Sequence, residues 1–299
     1  TEGFTITTDF VPQEELIAYI NKEKVDALLV RSATKVRKDL IDACPNLKFI
    51  ARGGVGMDNI DVTYAKGKAV LGMVEGWLGE ETFRRGVHDY LRAHAWGVAV
   101  GPDLWRALGA ASGRDVAAVL PGFLDQPGVP LVSVEPLGAA RLRVTQRRYA
   151  TAGVEMPPLA WKIPVRLRVG GGGTTATVGF LLEGPSTEVE VPGLETIDWV
   201  MPNADAAGYY RWRVPPALFA TLSARAGEAL TVRERLALLG NASALLSAGE
   251  LAADDYLELL GRFGGDPDPA VAGAVVEHLD RVKEPLGERA SPAAWAGFR

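Results

Sequence analysis

Apolar residues recur in the first fifth of the chain in short blocks that alternate between helical and extended spacing. Leu16, Ile17 and Ile20, within 14–24, share one helical face, and VDALLVR at 25–31 reads as a short buried strand. KVRKDLIDAC at 35–44 predicts a second helix, which Pro45-Asn46 breaks. LKFIA at 47–51 predicts a second strand, ending at Gly53-Gly54. Alternation of strand and helix is the pattern of an α/β unit with parallel strands.

The spacing then becomes helical for longer. Val62, Ala69, Val70, Met73, Val74, Trp77 and Leu78 predict an amphipathic helix over 62–78. Phe83, Val87, Tyr90 and Leu91 predict another over 80–94, and a third falls near 103–109. A Pro/Gly-rich stretch, PGFLDQPGVP, occupies 121–130. Beyond it the period is two: Trp161, Ile163, Val165, Leu167 and Val169 alternate with Lys162, Pro164, Arg166 and Arg168. Four glycines and TATVGFLL follow, which predicts a hairpin of half-exposed antiparallel strands. Short strands at 187–191 and 208–213 complete an expected β-sandwich. After Pro215-Pro216 the chain is helical again. Thr231 and Glu234 have capping-box spacing, a second helix covers 251–263, and Asp268-Pro269 starts a third that Pro285 is expected to stop. Successive helix pairs without an exact repeat suit a helical superstructure.

The expected class is therefore multidomain α+β: a partial, flavodoxin-like α/β piece (1–62), a helical segment (63–120), a β-sandwich (121–213) and a superhelix-like helical segment (214–299). The 299 residues, 47% hydrophobic and 23% charged, are in the range of ordinary globular protein. The net charge of −5 argues against a nucleic-acid partner, and Arg141, Arg143, Arg147 and Arg148 read as the solvated face of strands. One cysteine, Cys44, excludes an intrachain disulfide and a cysteine zinc cluster and reads as a small core residue. No apolar run approaches a membrane span and no leader is visible, so a cytoplasmic location is expected. The start at Thr-Glu-Gly suggests a trimmed N-terminus.

Composition changes sharply near Tyr64. Residues 1–70 hold seven Lys and three Arg, whereas 71–299 hold two Lys and twenty Arg. Six of the eight isoleucines lie in 1–62. Lys and Arg are both cations, and Ile and Val are both β-branched, so a change of origin or of domain explains the switch more simply than folding does.

Candidate chemistry falls on both sides of this seam. Arg52-Gly53-Gly54-Val55-Gly56 follows a strand, and glycine-exposed amides can receive a carboxylate or phosphate. As a dinucleotide fingerprint it fails, because Asn59 takes the third glycine position. A tight strand-to-helix turn is the alternative. Gly170–Gly173 lacks a following Lys-Ser/Thr, so it is not a phosphate loop, and no Gly-x-Ser-x-Gly elbow occurs. His88 and His94 are six apart, and His278 is remote from both.

Residues 25–61, VDALLVRSATKVRKDLIDACPNLKFIARGGVGMDNID, resemble the substrate domain of D-3-phosphoglycerate dehydrogenases, within the D-2-hydroxyacid dehydrogenases. The resemblance implies that Arg31 and Arg52 lie near the substrate's anionic groups and that the amides of Gly54, Val55 and Gly56 hold its carboxylate. It also implies NAD in the intact family. The nicotinamide-binding loop and the later Arg, Glu and His of hydride transfer have no counterpart in these residues, so dehydrogenase activity is not expected.

A second resemblance begins at TYAKG (63–67) and continues through AVLGMVEGWLGEETFRRGVHDYLRAHAWG, LAWKIPVRLRV, NADAAGYYRWRV and RERLALLGNASALLSAGEL, covering 63–285. It is similar to the M1 zinc aminopeptidases, gluzincins related to aminopeptidase N. The resemblance implies the end of a catalytic domain, a β-sandwich and the start of a helical C-terminal domain. It implies that Tyr64, in the Tyr-x-Lys-Gly motif, donates a hydrogen bond to the oxyanion; from spacing alone Tyr64 is an ordinary amphipathic-helix residue. The family's His-Glu-x-x-His, its distant Glu ligand and its Gly-x-Met-Glu-Asn stretch do not occur. The expectation is an incomplete metallo-aminopeptidase-like chain, inactive alone, with no metal or cofactor of its own. Possible partners are a peptide or a small hydroxyacid.

Overall fold

Two four-residue strands, β1 (Ala27–Val30) and β2 (Phe49–Arg52), pair in parallel, with Ala27 opposite Phe49 and Val30 opposite Arg52. The connection between them contains α2 (Lys38–Ala43), and α1 (Leu16–Lys22) precedes them. Parallel strands need such a crossover, because a tight turn can join only antiparallel ones. The computed structural model describes residues 11–25, 27–30, 34–47, 49–52, 62–95, 97 and 99–287; for 27, 29–30, 49–52, 62–65 and 283–287 it describes the backbone only. The chain is a multidomain α+β protein with a helical C-terminal part. It divides into a smaller unit, residues 5–71, and a larger one holding residues 72–299.

The smaller unit closes on Leu16, Ile20, Val36, Leu40, Ile41 and Cys44, with Val11, Ile17, Val25, Leu28 and Leu47 packed against them. The Gln13 amide donates to the Lys35 carbonyl at 2.9 Å and accepts from the Lys35 N–H at 2.8 Å. Asn21 donates to the Ala43 carbonyl at 2.7 Å, satisfying one of the carbonyls orphaned at the end of α2. Cys44 is fully buried, and burial raises its thiol pKa, with the charge of Lys68 acting in the opposite direction as the smaller effect.

A single helix, α3 (Val62–Leu78), runs through the composition seam and across the boundary between the units. The larger unit continues with α4 (Glu80–Ala93), α5 (Gly101–Ser112) and α6 (Val116–Leu124). Here the Pro/Gly-rich stretch differs from expectation: Pro121 and Gly122 lie inside α6. Val116, Val119, Leu120 and Phe123, at i, i+3, i+4 and i+7, are all buried, and that apolar stripe outweighs the one N–H that Pro121 lacks.

Two small sheets follow. The first has the order β7-β4-β3-β9, from β3 (Pro130–Gly138), β4 (Arg141–Arg148), β7 (Ser186–Glu190) and β9 (Arg211–Arg213). The second is β6-β5-β8, from β5 (Ile163–Gly171), β6 (Thr174–Leu182) and β8 (Trp199–Met201). The β3/β9 pair is parallel and the rest are antiparallel. Gln146, on β4, joins the sheets by donating to the carbonyls of Trp161 (2.7 Å) and Gly184 (2.8 Å) and accepting from the Trp161 N–H (2.9 Å). The glycine run is structural. A Cβ on Gly170 would lie 2.2 Å from the Trp199 indole and one on Gly171 would lie 1.9 Å from the Thr196 carbonyl oxygen. Gly172 and Gly173, at φ of 56° and 79°, make the two-residue turn that a tight hairpin requires.

Among the described residues four helices follow: α7 (Pro216–Ala229), α8 (Val232–Ser247), α9 (Ala253–Phe263) and α10 (Pro269–Gly287). The α8 capping box forms as the spacing predicts, and Asp268 accepts from the Ala270 N–H at the start of α10. Pro285 does not stop α10, which continues two residues further. A proline this near a helix end removes one N–H where little of the hydrogen-bonded ladder remains. Arg141, Arg143 and Arg147 are exposed and Arg148 is half-buried, along a strand whose Leu142 and Val144 face inward. Among the described residues, no helix is long and apolar enough to cross a membrane.

Candidate functional site

Backbone order around the candidate residues is set by β2 and α3. Arg52 ends β2 in register with Val30, and Tyr64 sits in the first turn of α3; the side chains of both lie outside the described residues. Arg31, Gly54, Val55 and Gly56 also lie outside them.

The polar cluster that the structure does define is elsewhere, and the Thr231–Glu234 spacing is its one sign in the sequence. Glu234 is the third helical residue of α8, the acidic partner in its capping box, yet it is fully buried. Its Oε2 accepts from the Thr231 N–H (2.9 Å), the Thr231 hydroxyl (3.0 Å) and the Arg168 guanidinium of β5, and its Oε1 accepts from the Asp205 N–H (2.9 Å). Arg168 also donates to the Ala229 carbonyl at 3.0 Å. Asp205 has φ of 59°, unusual for a residue with a side chain, and is held at both ends: its N–H by Glu234, its carboxylate by Arg166 at 2.7 Å. One buried carboxylate thus ties a helix start, a strand and a strained turn together. Four hydrogen bonds engage both of its oxygens, so the arrangement is a brace rather than a reactive centre.

A second brace guards a sheet edge. Asn241 of α8 accepts from the Trp212 N–H at 2.9 Å and donates to the Trp212 carbonyl at 2.8 Å, so its amide stands in for another strand beside β9. Glu250 receives both Arg213 (2.6 Å) and Arg147. The Tyr149 hydroxyl donates to the Ala244 carbonyl at 2.8 Å.

Zinc is the metal that the second resemblance implies, and the residues present do not fit it. His88 is exposed, with Nδ1 3.2 Å from Asp89. The Nδ1 of His94 is 3.0 Å from the Tyr90 carbonyl and its Nε2 is 3.5 Å from Asp103. His278 is buried, and its Nδ1 lies 2.8 Å from the Tyr256 hydroxyl; burial, then Arg281, lowers its pKa from 6.5 to about 4. Each histidine has its own neighbours, and among the described residues no three His, Cys, Asp or Glu side chains converge on a metal-sized site.

Comparison with known proteins finds both halves of the pattern. The family model of the ERAP1-like C-terminal domain matches residues 199–299. The model of the D-isomer specific 2-hydroxyacid dehydrogenase catalytic domain matches residues 2–73, past Asp61 and into α3. Over 229 residues the chain is 32% identical to Aminopeptidase 2 of Candida albicans, covering 75% of this chain and 24% of that protein. It is 30% identical to the Puromycin-sensitive aminopeptidase of Caenorhabditis elegans, over 74% of this chain and 24% of that one. It is 31% identical to the Tricorn protease-interacting factor F2 of Thermoplasma acidophilum, over 73% and 26% respectively. The chain spans about a quarter of the length of these curated relatives. Residues 63–285 thus resemble the C-terminal part of the M1 zinc aminopeptidases, and they follow a segment that resembles the substrate domain of the D-2-hydroxyacid dehydrogenases.

Proposed function

We propose that this polypeptide is the scaffold part of an aminopeptidase-type chain joined to a hydroxyacid-dehydrogenase-like segment, and that alone it carries out neither reaction. The observation that supports this most is the state of its histidines: three, with separate partners, and none four residues from another. Zinc-dependent removal of N-terminal amino acids needs paired histidines and a carboxylate ligand around the metal. Tyr64 is the one residue that the aminopeptidase motif carries over, as the oxyanion's hydrogen-bond donor. Arg31, Arg52 and the amides of Gly54, Val55 and Gly56 are the corresponding anion-binding group of the other segment. In this reading the two sheets form the family's β-sandwich, 214–299 begins its helical superstructure, and residues 1–62 are a partial flavodoxin-like unit.

Hydrolysis of aminoacyl amides by the purified chain tests the proposal. Turnover at the background rate, unchanged in Tyr64→Phe, is expected. Zinc-dependent turnover that Tyr64→Phe abolishes would overturn it. A binding role is the second reading, favoured by the braced sheets and helices. It predicts saturable peptide binding by the full chain, with no release of free amino acid.

A further inference from the structure

The two larger sheets have four edges, and three are guarded. The β7 edge is five residues long and carries Glu188, which meets Arg143 at 3.3 Å, and Glu190. The β9 edge is clasped by Asn241. The β8 edge is three residues long and wholly buried. The fourth edge is β6, nine residues, TTATVGFLL, with no charge and no proline. Proteins ordinarily blunt such an edge with charge, proline, brevity or a covering element.

The pairing parity shows what β6 leaves open. The two-residue turn at Gly172–Gly173 makes Gly171 and Thr174 a hydrogen-bonded pair, and bonded pairs then alternate along the hairpin. Residues 174, 176, 178, 180 and 182 therefore bond to β5. Thr175, Thr177, Gly179 and Leu181 turn their N–H and C=O groups outward. Pro164 faces Leu181 in the register, at a non-bonded position, where its missing N–H costs the hairpin nothing. Among the described residues, no hydrogen bond reaches these outward groups. The inner face is also unfinished. Ile163, Val165, Leu167 and Val169 of β5 are buried, whereas Ala176, Val178 and Phe180 beside them on β6 are only half-buried.

We propose that β6 is a self-association edge, on which a second copy of this chain pairs antiparallel about a twofold axis at Val178. An uncharged edge meets its own copy without repulsion, and twofold pairing presents the same surface from both sides. In that register Thr177 bonds with Gly179 of the copy and Thr175 with Leu181, giving about eight main-chain hydrogen bonds. Val178 packs on its own counterpart, and Ala176 on Phe180, small against large, completing the half-buried face.

Sedimentation velocity of the full chain, over a hundredfold concentration range, tests this alongside amide hydrogen exchange. The mass is expected to rise from 31.9 kDa toward twice that value. The amides of Thr175, Thr177, Gly179 and Leu181 should gain protection with concentration, while those of 176, 178, 180 and 182 stay protected throughout. Thr177→Lys adds charge to the edge, and Thr177→Pro deletes an outward N–H that β5 does not use. Each should weaken association at least tenfold with an unchanged circular dichroism spectrum; if the proline variant misfolds, the lysine variant decides. A wild-type chain that stays monomeric at the highest concentration would overturn the proposal. So would a dimer that Thr177→Lys leaves intact, or protection that ignores the alternation.

Discussion

Asn241→Ala probes the brace on β9. The side chain is 2% exposed, and it satisfies both main-chain groups of Trp212, which is 1% exposed. Truncation leaves a donor and an acceptor buried without partners, at about 1–3 kcal/mol for each orphaned group. The two together come to about 2–6 kcal/mol. For a unit of this size each kcal/mol lowers Tm by about 2–4 °C, so a loss near the middle of the range lowers it by about 8–16 °C. All seven tryptophans lie in residues 72–299, so intrinsic fluorescence in urea follows the larger unit. Asn241→Asp is the sharper variant. It keeps the acceptor for the Trp212 N–H but turns a carboxylate oxygen toward the Trp212 carbonyl, so it should destabilise at least as much as alanine. If Asn241→Ala cost under about 0.5 kcal/mol, or Asn241→Asp were neutral, the clasp would not be a stabilising feature.

Other perturbations read other parts of the structure. Glu234→Gln replaces an acceptor by a donor facing Arg168 and Thr231, and should cost about 3 kcal/mol in urea unfolding, as for a broken buried ion pair. His278 has a folded pKa of about 4, below its ordinary 6.5, so its contribution is complete above pH 6.5 and is lost as pH falls toward 4. That contribution is about 3 kcal/mol, and His278→Phe should flatten the stability profile between those two values. Ala139 sits at φ of 49° in the exposed β3–β4 turn, so Ala139→Gly should raise stability by about 1 kcal/mol. The buried Cys44 thiol should resist an aromatic disulfide reagent in the native chain and react at once in denaturant.

The elements most legible in the sequence were those whose own pattern decides them. The alternation from Ile163 to Val169, the Thr231–Glu234 capping box and the Lys/Arg change all speak locally. Those missed depend on partners distant in sequence. Three-residue β8 exists because it pairs with β5, and α6 persists through Pro121 because its stripe is buried. Glu234 looked like a helix cap; that it also receives Arg168 and Asp205, 66 and 29 residues away, follows only from the packing of β5 and the turn onto α8. Composition put the seam near Tyr64 and the two resemblances narrowed it to between Asp61 and Tyr64, whereas helix α3 is continuous there and the units divide after Leu71. The candidate site was legible as motif alone, since Tyr64, Arg52 and the glycine loop are recognised by residue order rather than by periodicity.

Zinc content is the most direct test of a scaffold without a catalytic metal. The chain would be incubated with excess zinc, dialysed, and its metal measured by plasma mass spectrometry against protein concentration. Far less than one zinc per chain is predicted. One tightly held zinc per chain would contradict the account, because it would require a ligand set that His88, His94 and His278 do not form.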